Sequence, residues 1–144
     1  MAIQLSTTVR NARLDTIETT ISTAPILEIR TGAQPANCAA ADSGTLLASM
    51  TLPSDWMAAA ASGSKALSGS WNDASANAAG TAAHFRIKDN GGSTCHIQGS
   101  VTATSGGGDI ELNNTSIASG QSVTIAAFTL TDANACRAVD RSNS

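Results

Sequence analysis

The pattern of apolar and polar positions changes period after the first two dozen residues. From Thr8 to Ile21 there is no Gly or Pro, Ser6 or Thr7 stands where an N-cap would, and Leu14, Ile17 and Ile21 share one narrow helical stripe. Val9 and Ala12 point elsewhere, and Arg10, Arg13, Asp15 and Glu18 cover the remainder. That stripe is thin for a helix buried in its own domain. Two arrangements fit it. The helix lies across one sheet, or it is held between its own domain and a neighbour, with Val9, Arg10, Arg13, Leu14, Ile17 and Ile21 as the partner-binding set.

Beyond Ala24-Pro25 the period is two. Leu27 and Ile29 alternate with Glu28 and Arg30 in a half-buried strand. Residues 32–43 (TGAQPANCAAAD) read as a loop. Leu46, Ala48, Met50 and Leu52 then alternate with Thr45, Leu47, Ser49 and Thr51, up to Pro53. Ser54 to Ala58 reads as one or two helical turns, capped by Ser54 and ended by Gly63. Leu67, Gly69 and Trp71 share a strand face, and residues 72–80 form a polar loop.

The strongest local signal follows. Phe85 and Ile87 alternate with His84, Arg86 and Lys88; after Asp89-Asn90-Gly91-Gly92, Cys95, Ile97 and Val101 are opposed to His96, Gln98 and Thr102. This is a β-hairpin. A two-residue Asn-Gly turn would set core residues opposite solvent residues. A three-residue loop, Asn90-Gly91-Gly92, pairs Ile87 with Cys95 and Phe85 with Ile97, with Gly supplying a left-handed conformation near the loop's end. In that register His84 and His96 face solvent, and Cys95 is a small core hydrophobe.

Ile110 and Leu112 mark a short strand. Val123 and Ile125 have the opposite parity to Phe128 and Leu130, so both pairs face one core only if a β-bulge sits near Ala126-Ala127. The chain thus divides into an N-terminal helical arm (1–24), a β-sandwich domain (25–131) and a polar C-terminal tail (132–144). The fold class is mainly β: an antiparallel β-sandwich or jelly roll with an N-terminal helix. A partly open barrel would give the same pattern.

Composition narrows the function. At 144 residues the chain buries roughly 68–70% of its unfolded surface, enough for a core without metal or disulfides. Two Phe, two Trp and no Tyr make a thin core. Eight basic and eleven acidic residues give a net charge of −3 with no basic run, so a nucleic-acid partner is not expected. No apolar run reaches the ~20 residues of a membrane span, and the first residues lack the pattern of a secretory signal. The protein is therefore expected to be made and kept in the cytosol until assembled into something. Cys38, Cys95 and Cys136 fit no zinc spacing or even-numbered disulfide framework and are read as reduced.

Candidate chemistry is sparse. His84 and His96 flank Arg86, which would repel a cation, and no third ligand is evident; no metal or cofactor is expected. There is no G-x-S-x-G elbow, and Cys95 and His96, adjacent in a strand, point to opposite faces. Asp109 and Glu111 are the nearest approach to a carboxylate pair, without the aromatics of a sugar-binding groove. These features describe a protein-binding structural domain, not an enzyme.

The opening Met-Ala-x-Gln-Leu-Ser-Thr-x-Val-Arg-Asn-Ala-Arg-Leu-Asp, continued by Ile17-Glu18-Thr19, resembles the start of a set of small proteins of tailed bacteriophages and prophages. Leu52-Pro53-Ser54-Asp55-Trp56-Met57, His84-Phe85-Arg86-Ile87 and Cys95-His96-Ile97-Gln98-Gly99 extend the similarity, which covers the chain to about Ala135. Members are taken to be virion structural proteins. The resemblance implies a capsid cement or decoration protein, binding the major capsid protein or other virion proteins at the capsid surface as a dimer or trimer. It carries over no catalytic residue. Competing expectations are a tail, neck or fibre-associated component and a carbohydrate-active enzyme. On the cement reading, removal of residues 1–22 should abolish shell binding and leave the β domain folded.

Overall fold

In the computed structural model, which describes residues 3–132 and the backbone of Ala135–Cys136, local signals set the helix and long-range pairing sets the rest. A short strand, β1 (Ile3–Gln4), precedes α1 (Thr7–Ile21). Ser6 is the N-cap, its hydroxyl accepting from the Val9 N–H at 3.2 Å. The helix stops at Ser22, which takes a φ of 77°, and the chain turns into β2 (Ile26–Arg30) and β3 (Leu46–Thr51). Then come β4 (Ser64–Ala66), β5 (Trp71–Asp73), β6 (Gly80–Thr81), β7 (His84–Lys88) and β8 (Cys95–Ala103). β9 (Ile110–Leu112), β10 (Ser116–Ile117), β11 (Val123–Ile125), β12 (Thr129–Thr131) and β13 (Ala135–Cys136) complete the order. The protein is mainly β, with one N-terminal helix and a curled, largely antiparallel sheet.

That sheet has the order β3-β2-β7-β8-β9; β8 and β9 run parallel, and the other neighbours are antiparallel. Its apolar face carries Leu27, Ile29, Phe85 and Ile87, all 1% exposed or less. In the β2–β3 ladder Leu47 is the bulged residue, skipped between Ala48 and Leu46, and both Leu47 and Ala48 are buried.

A second, broken ribbon lies against this face. Residues 64–81 run antiparallel to residues 131–116, as β4–β12, β5–β11 and β6–β10, and the pairing slips by one residue at each break. The break near Ala126-Ala127 falls where parity required it, although the extra residue lies on the opposite chain, between β4 and β5. β1 and β13 form a separate two-stranded pair, with β13 inside the segment expected to be a polar tail.

Aromatic rings join the layers. Phe85 meets Phe128 edge-on at 5.7 Å, Phe128 meets Trp71 at 5.4 Å, and Trp71 meets Trp56 at 6.0 Å. Gly99, paired with Phe85, has no room for a side chain: a Cβ there would lie 2.7 Å from the Phe85 ring.

Several sequence expectations change. Residues 54–58 are not helical. Trp56 and Met57 are both buried in extended chain, and Met57 bridges Leu67. Ala61 and Ser64 exchange both backbone hydrogen bonds around Ser62-Gly63, each at positive φ, as a two-residue primed hairpin turn requires. Burial of two large side chains outweighed a local capping signal. The β7–β8 register is also two residues away from the expected one: Ile87 pairs with Ile97 and Arg86 with Gln98. The parity is right and Gly92 is left-handed at +72°, but Asp89 closes a longer loop onto Thr94, and His96 is bulged out of the ladder. Finally, His84 does not face solvent; it is 1% exposed.

Candidate interaction surface

α1 is fixed to the β domain along its length. Leu14 and Ile21 are buried and Ile17 packs against the core. Beside this stripe, Asp15 and Glu18 converge on Lys65, at 2.6 and 2.8 Å, and the Lys65 side chain is 1% exposed. Burial pushes the Lys65 ammonium down, yet the hydrogen bonds and charges of the two carboxylates outweigh it and raise its pKa above the ordinary 10.5. The hydrogen bond from Lys65, and then that from the Ala60 N–H, hold the Asp15 carboxyl below its usual range.

Contacts at the two ends complete the attachment. The Gly63 N–H donates to Asn11 Oδ1 at 2.9 Å, and the Trp56 indole donates to the Ser22 carbonyl at 3.0 Å. Removing residues 1–22 would strip Lys65 of both counterions and Trp56 of its acceptor, so a folded β domain is no longer the expected result.

The six residues expected to bind a partner therefore divide. Leu14 points inward. Arg10 lies over Gly63 and donates to Thr7 Oγ1 and the Asp132 carbonyl, at 3.1 and 3.3 Å. Ile17 and Ile21 border a shallow groove of about 230 Å³ with Thr16, Thr20 and the exposed His96. Val9, 45% exposed, and Arg13, ion-paired at 3.1 Å to Asp132 but with 55% of its side chain exposed, face outward.

On the sheet's other face, the loop from Gly32 to Ser43 covers the polar side of β2 and β7. His84 Nδ1 donates to the Gly32 carbonyl at 2.9 Å. The Arg86 guanidinium donates to the carbonyls of Cys38 (2.8 Å) and Ala40 (3.0 Å) and to Asp42 (2.6 Å). Asp42 also meets Lys88 at 2.5 Å and Arg30 at 3.2 Å, while Glu28 holds Arg30 and Lys88. Burial pushes the Asp42 carboxyl up. The hydrogen bond from Lys88, the charge of Arg30 and the hydrogen bond from Arg86 together outweigh it and hold the group below its usual range.

Cys95 also lies on this polar side rather than in the apolar core, its Sγ accepting from Arg86 Nε at 3.2 Å. The bulge at His96 places it there. Burial and the neighbouring Cys38 raise its thiol to about 11, against the opposing pull of Arg86.

The carboxylate pair is committed to backbone. Asp109 Oδ2 accepts from the Ser100 N–H and hydroxyl at 2.9 and 3.0 Å, and Glu111 Oε2 accepts from the Gly107 N–H at 3.0 Å. Both line a depression of about 440 Å³ together with Thr104, Asn113 and Phe128. These contacts anchor the Ser105–Gly108 turn. Among the described residues, no three His, Cys, Asp or Glu side chains stand where they could share a metal ion, and no helix is long and apolar enough to cross a membrane.

Sequence reasoning did not single out Lys65 or Asp42. Asp15 and Glu18, three apart beside the apolar stripe, were the available sign of a buried cation, and Asp42 was the one charge in a loop opposite three basic side chains. No protein-family model, curated protein or solved structure matches the chain.

Proposed function

We propose that this chain is a virion structural protein of a tailed phage, a cement or decoration protein that binds the outside of the major capsid shell and stabilises it. One observation carries the reading. The segment that resembles small phage proteins, residues 1–19, forms β1, the Ser6 cap and most of α1, and presents Val9 and Arg13 outward on a helix clamped from below. A surface already held in place loses little freedom on docking, so many small contacts can add up. The two layers joined by Phe85 and Phe128 are read as a distorted sandwich of the jelly-roll kind. The partners are the major capsid protein or other virion proteins, and a second or third copy of the chain. The protein is made in the host cytoplasm and ends on the capsid surface.

Quantitative mass spectrometry of purified virions tests this directly. A copy number in simple ratio to the major capsid protein is the expected result. A handful of copies per particle would move the protein to the tail, neck or a fibre. Absence from the particle, with polysaccharide turnover lost on Asp109→Asn or Glu111→Gln, would replace the structural reading with an enzymatic one.

A further inference from the structure

Two cysteines far apart in sequence meet on the polar face of the sheet. Cys38 comes from the covering loop and Cys95 from the start of β8, and both are half-buried. One guanidinium holds both residues, Arg86 donating to the Cys38 carbonyl at 2.8 Å and to Cys95 Sγ at 3.2 Å. Both residues border one open depression of about 340 Å³ with Asp42, Lys88 and Thr94. A small oxidant can therefore reach them without the fold opening.

We infer that Cys38 and Cys95 are a redox-responsive pair, joined by a disulfide under oxidising conditions, which clasps the Gly32–Ser43 loop onto the β7–β8 hairpin. The oxidant is a low-molecular-weight disulfide. The Cys38 thiolate attacks one of its sulfurs, an S–S bond forms to the protein, and the first small thiol leaves with the proton lost by Cys38. Cys95 then attacks Cys38 Sγ, the intramolecular bond forms, and the second small thiol leaves with the proton lost by Cys95. The two protein sulfurs are oxidised and the small disulfide is reduced to two thiols. Arg86 stabilises the Cys95 thiolate as it forms.

The bond would close a loop of more than fifty residues and remove that freedom from the unfolded chain. Its effect falls on the one segment that covers Arg86 and Lys88. The clasp stands or falls independently of any virion role.

The test equilibrates the folded full-length protein with oxidised glutathione in a Cys136→Ser background, then maps peptides without reduction and follows limited proteolysis of residues 32–43. The expected result is a Cys38–Cys95 cross-linked peptide within one chain. Slower cleavage of the loop and a Tm higher by on the order of 10 °C than in the reduced protein should accompany it. All three effects should vanish in Cys38→Ser and in Cys95→Ser. Both thiols remaining free in the folded protein, a cross-link only between chains, or a cross-link that leaves loop cleavage unchanged would each overturn the inference; the wild-type comparison of oxidised with reduced protein stands even if a serine variant fails to fold.

Discussion

The two faces of β7 are both buried, and they are buried by different means. Phe85 and Ile87 face the ribbon and are covered by rings and aliphatic chains. His84, Arg86 and Lys88 are buried too, but they lie beneath a loop whose carbonyls and Asp42 bond His84 Nδ1, the Arg86 guanidinium and the Lys88 ammonium. The difference is in what each face tolerates. The apolar face loses stability in proportion to the volume removed. The polar face is near balance as a set and fails when one member is taken away, because the remainder are then buried without partners.

The largest effect should come from Phe85→Ala. The side chain is 1% exposed and touches Phe128 at the junction of the layers. Urea denaturation should show a loss of about 3–5 kcal/mol. Arg86→Ala tests the other face of the same strand. It leaves Asp42 short of one donor and the carbonyls of Cys38 and Ala40 unbonded, at a cost of about 3 kcal/mol. The two variants should differ in kind as well as size. Phe85→Ala loosens the protein globally, whereas Arg86→Ala should first expose residues 32–43 to protease. Equal cleavage of that loop in both would erase the distinction between the faces.

How much of this could be seen in advance follows the same division. The helix, its cap and the parity of Phe85 and Ile87 are local facts, and local patterning found them. The polar face was misassigned to solvent because alternation shows only that two faces differ, not that one is wet. A loop such as TGAQPANCAAAD gives no periodic sign that it will fold back as a cover. The ribbon was also beyond reach, since Trp71 finds Ile125 across more than fifty residues and no local signal records such a pairing. The divided partner set has the same origin. A helical wheel placed Leu14 and Ile21 together, yet it could not show that Lys65 and Trp56 wait beneath them.

Acid should separate the two faces next. Asp42, Asp15 and Asp89 all have pKa values below the ordinary 3.8 in the folded protein. Their stabilisation is present above pH 3.8 and is lost as pH falls further, through the folded values. Lys65 and Lys88 lie above 10.5, so their contribution is complete below pH 10.5 and is lost as pH rises past it. The urea midpoint should therefore hold between these limits, apart from other titrations, and fall outside them. Asp42→Asn should lower the plateau and flatten the acid limb, while Phe85→Ala should lower the plateau and keep the limb's slope. Parallel acid limbs for Asp42→Asn and the wild type would mean that the Asp42 cluster adds no pH-dependent stability.

The smallest effect is expected on the outer face of α1, and its smallness is what makes it useful. Val9 is an exposed apolar residue that touches no core, and the Arg13–Asp132 pair is exposed on the arginine side, where such pairs contribute roughly 0–1 kcal/mol. Val9→Ala and Arg13→Ala should each leave stability within about 0.5 kcal/mol of wild type. A surface kept for docking should then lose binding to purified shells with no loss of fold, a combination that neither face of β7 can produce, because every change there acts through stability. If shell binding survives both substitutions, the helix is a clamp on the domain and nothing more. The contact would then have to be sought elsewhere, beginning at the groove between Ile17 and His96.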